Sequence, residues 1–152
     1  MIKIINLHKA FDIDEGFLRK VIRDLSLRLR FKEERFEFVF LDRRRIRKLN
    51  RDFKKIDRPT DVLAFRLEAI EGDSRHTYAN IFISLDAALE NSRIFGTSFQ
   101  EETVLYIIHG MLHIAGYDDR GKAERSRMRR REEELLRKTC ANRDLSRALT
   151  RA

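Results

Sequence analysis

From Val104 to Ile114 the chain offers almost no polar side to water. Val104, Leu105, Ile107, Ile108, Met111, Leu112 and Ile114 fall on every face of a helix rather than on one stripe. A helix apolar all round has to be enclosed, so the remaining elements must be built around this one. Ser98-Phe99-Gln100-Glu101 is a capping box that opens it. Gly116 provides a left-handed stop after its last turn.

The end of this helix carries chemistry. His109 and His113 are four apart and share one helical face. If Tyr117-Asp118-Asp119 swings back outside the helix end, Asp119 comes up beside the two imidazoles. Two nitrogens and one carboxylate oxygen with an open position are a catalytic rather than a structural zinc arrangement. The spacing His-x3-His-x2-Gly-x2-Asp follows the extended metalloprotease pattern H-E-x-x-H-x-x-G-x-x-H. Gly110 stands where the protease has its general-base Glu, and Asp119 where it has the third His. Without that Glu the usual water-activation route has no base, so the pattern predicts a metal site but not a peptidase. Two helix histidines merely satisfied by hydrogen bonds are the plain alternative; Gly116 and Asp119 in register favour the ligand reading.

The rest of the chain supplies the enclosure. Ile2–Leu7, Arg35–Leu41, Val62–Leu67 and Tyr78–Ile83 read as strands. Asp14, Asp42 and Ser84 read as N-caps of helices, the last of these helices ending at Gly96. A final helix spans about Gly121 to Thr139, mostly Arg and Glu with a thin apolar seam. These elements predict an α+β domain: a four-stranded mixed β-sheet with five α-helices, the metal-site helix packed centrally on the sheet. The first three strands are expected to run largely parallel through right-handed crossovers, with the fourth antiparallel to the third across a polar loop from Glu68 to Thr77. A single domain is expected over residues 1–140, followed by a frayed tail over 141–152. Phe36, Phe38 and Phe40 are taken as core rather than as a base-stacking platform. Ile46, Leu49 and Phe53 form the core stripe of the second helix. His8 and His76 have no partner at ligand spacing.

Charge narrows the partners. Lys and Arg total 33 against 25 Asp and Glu, a formal net charge of +8 that concentrates polyanions, nucleic acid foremost. Much of it lies on one helix and the segment after it: Arg43, Arg44, Arg45, Arg47, Lys48, Arg51, Lys54, Lys55 and Arg58. A run of this kind is by default a solvated face. Here it leads into Asp57-Arg58-Pro59-Thr60-Asp61, which holds the only proline. The one cysteine, Cys140, rules out an intrachain disulfide and suits a reducing compartment. With no signal-like start and no run of about 20 apolar residues, a cytoplasmic protein without a membrane span is expected.

Two blocks taken together resemble the YbeY family of metal-dependent endoribonucleases that mature ribosomal RNA. His109-Gly110-Met111-Leu112-His113-Ile114-Ala115-Gly116-Tyr117-Asp118 is similar to the family's HGxLHxxGYDH. Leu49-Asn50 with Asp57-Arg58-Pro59-Thr60-Asp61-Val62-Leu63-Ala64-Phe65 is similar to its LN and D.PTDVLSF segments. The resemblance implies zinc, one per chain, on His109, His113 and the position of Asp119. It further implies cleavage of single-stranded RNA in 16S 3′-end maturation and ribosome quality control, with the ribosome or small-subunit proteins as partners. It gives Lys54 and His109 catalytic roles. Arg43, Arg44, Arg47, Arg51, Lys54, Lys55 and Arg58 are the residues expected to follow the RNA backbone.

The sequence departs from the family at three places. Asp119 replaces a histidine, a harder ligand that admits other divalent metals, with Asp118 next to it. Lys54 replaces a functional arginine, keeping the charge but losing the bidentate fork. Ala79-Asn80 stands where the family often has Gly-Asp. Two other readings compete: a non-catalytic ribosome-associated RNA-binding factor, and a metalloprotease-like hydrolase, against which Gly110 argues.

Overall fold

The structure, a computed structural model, describes residues 1–32, 34–67 and 77–151. The polar loop expected from Glu68 onward falls on residues 68–76, outside the described residues, and so does His76.

Strand β1 (Ile2–Asn6) is followed by a short β2 (Phe11–Ile13), α1 (Glu15–Arg28), β3 (Glu34–Leu41), α2 (Arg43–Lys54), β4 (Val62–Leu67) and β5 (Thr77–Ser84). Three helices come next, α3 (Leu85–Phe95), α4 (Phe99–Ile114) and α5 (Lys122–Asn142), and β6 (Leu149–Arg151) ends the described chain. The helices begin where a side-chain oxygen can take an orphan amide. Asp14 accepts from Phe17 N at 2.9 Å, Asp42 from Arg45 N at 2.8 Å, Ser84 from Ala87 N at 3.1 Å and Ser98 from Glu101 N at 3.0 Å.

The main sheet has four strands in the order β1-β3-β5-β4. β1 and β5 both run parallel to β3, and β4 runs antiparallel to β5 at the edge. The mixed sheet and the antiparallel pairing of the third and fourth expected strands are found, but the third does not run parallel to the first two: β4 is antiparallel, at the edge beyond β5. β5 takes the place between β3 and β4 because it is the more apolar, with Ala79, Ile81 and Ile83 buried, whereas Arg66 and Leu67 of β4 are exposed.

Strand alternation divides the core in two. Ile4, Phe36, Phe38, Phe40, Ile81 and Ile83 point to the face covered by α1, α3 and α4. Val39, Leu41, Leu63, Phe65 and Phe82 point to the face covered by α2, where Ile46 is fully buried. All three phenylalanines of β3 are fully buried, so they are core. α4 lies against β4, β5, α3 and α5, enclosed as its composition requires. α5 closes it from outside with Met128 and Leu135.

The C-terminal segment is not frayed. Its backbone pairs β6 antiparallel with β2, and Leu145, Ala148 and Leu149 are buried in the main core. Gln100 on α4 donates to Leu149 O at 3.0 Å. Three apolar side chains among Arg, Thr and Ser give little local signal, but they join the main core together with Phe11 and the apolar residues of α4. Leu149→Ala should therefore cost about 2–4 kcal/mol in urea denaturation. A tail without structural weight would leave the midpoint unchanged.

Candidate metal centre

The last two turns of α4 hold the imidazoles, His109 and then His113, and the turn after the helix returns the carboxylate. Gly116, at φ 102°, takes the left-handed position after the cap. Its amide donates to His113 O at 3.1 Å and that of Tyr117 to Leu112 O at 3.0 Å, a pair of bonds that satisfies the helix-end carbonyls. Arg66 Nη1 on β4 donates to Ile114 O at 3.2 Å and places a cation at the negative end of the helix dipole. Reversed in this way, the chain brings Asp119 to His113, with Oδ2 3.7 Å from Nε2.

His109 Nε2 and His113 Nε2 are 3.1 Å apart, and one ligand atom from each of His109, His113 and Asp119 fits within 4.8 Å. A tetrahedral zinc with bonds of about 2.0–2.1 Å sets its ligand atoms roughly 3.3 Å apart; the 3.1 and 3.7 Å separations are close to that spacing, and the three atoms together span no more than 4.8 Å. The group could hold a metal through two nitrogens and one oxygen. Asp118 is turned away: its Oδ1 accepts from Arg120 N at 3.1 Å and its other oxygen faces the Arg120 guanidinium at 3.6 Å. Between the two neighbouring acids, the geometry favours Asp119.

Glu132 on α5 is the residue that sequence reasoning missed. Its carboxylate hydrogen-bonds His109 Nδ1, 23 residues away along the chain. Only 16% of that side chain is exposed. Such a bond fixes the tautomer, leaving Nε2 with its lone pair toward His113 and Asp119. No spacing rule could have found it, because it sits in an Arg- and Glu-rich helix that reads as a plain cover.

The two imidazoles are tuned in opposite directions. Burial pulls His109 down, but the hydrogen bond and charge of Glu132, with Asp61 and Asp119 behind it, outweigh burial and raise its pKa. Burial also lowers His113, and the neighbouring His109 and Lys54 push it the same way while Asp119 opposes. Lys54 and Asp61 thus act electrostatically at the site although neither lies on α4.

Both are delivered by the basic helix and the segment after it. Asn50 is buried, and its Nδ2 donates to Arg58 O at 2.9 Å, tying that segment to α2. Asp61 O accepts from Ser84 N at 2.9 Å, which pins the start of β4 against the end of β5. Among the expected RNA-contacting cations, Arg43 pairs with Glu90, Arg47 with Asp57 at 3.0 Å and Arg51 with Asp52 at 3.6 Å. No carboxylate among the described residues pairs with Arg44, Lys54, Lys55 or Arg58. Arg43 and Lys54 stand at opposite ends of α2, roughly 16 Å apart along its axis, and of the whole set only Lys54 acts on the histidine pair, through His113. His8 does have a partner, Asp86 Oδ1 at 2.8 Å from its Nε2, and belongs to a packing contact away from this centre.

Gly110 is buried against the sheet, and a Cβ there would come within 2.7 Å of Ile81 Cγ2. The position occupied in metalloproteases by the general base is therefore filled by β5, and a glutamate has no room to reach the metal group.

A family profile named Endoribonuclease YbeY matches residues 3–140. An endoribonuclease YbeY of Pelotomaculum thermopropionicum is 36% identical, with 86% of this chain and 91% of that protein covered. One from Clostridium botulinum is 33% identical over 90% of this chain and 96% of its own length. The solution structure of a Thermotoga maritima protein superposes with a TM-score of 0.60 at 26% identity, covering 93% of each chain.

If Glu132 orients His109 as a ligand, Glu132→Gln should lower metal affinity by roughly 10- to 100-fold in chelator competition. Unchanged affinity would contradict that role. Metal and proton compete for His109, whose pKa is raised above 6.5. Affinity should therefore climb as pH rises through that raised value and level off above it.

Proposed function

The chain belongs to the YbeY endoribonuclease family, and from that premise we propose that it hydrolyses single-stranded RNA at the His109, His113 and Asp119 centre, in ribosomal RNA maturation. The observation that carries the reading is the convergence of two imidazoles and one carboxylate within 4.8 Å, with the charge of Lys54 felt at His113.

Zinc is the metal this donor set suits best; bound there, it would supply a Lewis acid for a phosphoryl oxygen and a water of lowered pKa. Asp119 in place of a third imidazole makes the centre more anionic and widens the choice to harder divalent ions. Glu132 keeps His109 in the tautomer that presents Nε2. Lys54 neutralises charge that develops on the phosphate in the transition state, as a point charge rather than a fork. The basic side of α2, with Arg44, Arg47, Lys48 and Arg51 along one groove, leads the RNA backbone toward Lys54. Arg43, at the far end and paired with Glu90, is the weakest member of the expected set. No helix among the described residues is long and apolar enough to cross a membrane. That agrees with a cytoplasmic enzyme working on ribosomal RNA, with the ribosome as its partner.

His113→Ala should abolish cleavage of an unstructured RNA while leaving the thermal midpoint near that of wild type. Lys54→Ala should lower kcat by roughly 100- to 1,000-fold, the loss typical of removing one transition-state donor, and Lys54→Arg should restore it. Full cleavage by His113→Ala would end the assignment. Loss of binding without loss of kcat in Lys54→Ala would move that lysine to ground-state recognition.

A further inference from the structure

We propose that Phe53 is a stacking platform for a nucleobase of single-stranded RNA, set at the end of the basic helix beside Lys54. The inference rests on the RNA-substrate reading above and deepens it by naming where a base, rather than a phosphate, is held.

Phe53 continues the apolar stripe of α2 at helical spacing from Ile46 and Leu49, and on that pattern it should be core. Instead burial fades along the stripe. Ile46 is fully buried, Leu49 is half-buried, and Phe53 is 65% exposed. The helix runs past the cover that the sheet can give it.

The exposed ring is nevertheless held in place. Its centroid lies 5.4 Å from that of Phe65 at 51°, and Phe65 in turn lies 6.0 Å from Phe82 at 71°. Three rings in series, the inner two on the sheet, support the outermost from behind and leave it open to solvent. A rigid, supported aromatic surface costs little ordering entropy when a flat partner settles on it.

The surroundings identify that partner. Lys54, Lys55 and Arg58 follow Phe53 in the chain with no carboxylate partner among the described residues, and the two acids of this stretch, Asp52 and Asp57, are engaged by Arg51 and Arg47. Cations that take phosphates around an aromatic that takes a base are what sequence-tolerant single-strand binding requires. A protein partner with an apolar face would have to desolvate those cations, whereas a polyanion pairs with them. Ile94 and Phe95 are exposed to a similar degree, 65% and 68%, but beside Ile94 the cations Arg43 and Arg93 are balanced by Asp86 and Glu90. Exposure alone is not the argument. Lys54, the next residue, is felt electrostatically at His113, so a base on Phe53 would sit close to the phosphate presented to the metal group.

The chain has no tryptophan, so Phe53→Trp makes a single fluorescent reporter at the proposed platform. Titration with a short unstructured RNA should quench that tryptophan, while Leu27→Trp, at a residue 72% exposed on α1, should stay unquenched. In parallel, anisotropy of a labelled RNA should show Phe53→Ala binding roughly 5- to 100-fold more weakly. The salt dependence should be unaltered, because stacking releases no counterions, and Phe53→Tyr should bind like wild type. RNA bound to Phe53→Trp without quenching, or Phe53→Ala binding as tightly as wild type, would overturn the platform and leave the RNA reading standing. No RNA binding by the wild-type protein would overturn both.

Discussion

A helix without a polar face must be enclosed on every side, and α4 obtains that enclosure from β4, β5, α3 and α5. The enclosure stops at the last turn. His109 and His113 are only partly buried there, while Ile108, Gly110, Met111 and Leu112 around them are buried. The group that could hold a metal therefore stands at the open end of a buried helix. Gly110 shows how tight the fit is, since one added carbon would meet Ile81 at 2.7 Å. Buried packing of this kind holds ligands in position before any metal arrives, which lowers the entropic cost of binding it.

Charge organises what surrounds the centre. The C-terminal end of a helix is its negative pole, favourable for a cation, and Asp119 adds a further negative charge from the turn that follows. Glu132 and Asp61 act in the same direction on His109, while Lys54 acts against His113 from the other side. One imidazole is thereby backed by carboxylates and the other faces an ammonium. Along α2, Arg43, Arg47 and Arg51 are paired with acids, whereas Lys54 has no carboxylate partner among the described residues.

Much of this was legible before any coordinates. The caps at Asp14, Asp42, Ser84 and Ser98 depend on one side chain and the amide three residues on, so local sequence shows them. The histidine pair and the Gly116 turn are equally local. What sequence could not show depends on contacts far apart in the chain. Periodicity tells which face of a strand is buried but not which strand lies beside it, so the central place of β5 and the edge place of β4 were missed. The β2–β6 ribbon rests on three residues a side, too short for any pattern. Glu132 reaches His109 across 23 residues from a helix whose composition suggests only solvent. Phe53 failed in the opposite sense, with the right spacing for core but only the Phe65 ring of the edge strand against it, which leaves it 65% exposed.

The central claim is that His109, His113 and Asp119 bind one catalytic metal. X-ray absorption at the zinc edge of protein loaded with one equivalent of zinc tests it most directly. The account predicts a four-coordinate ion with two imidazole nitrogens and two oxygens, one of them from Asp119, at about 2.0–2.1 Å. A third imidazole in the shell, or no zinc retained at one equivalent, would contradict it.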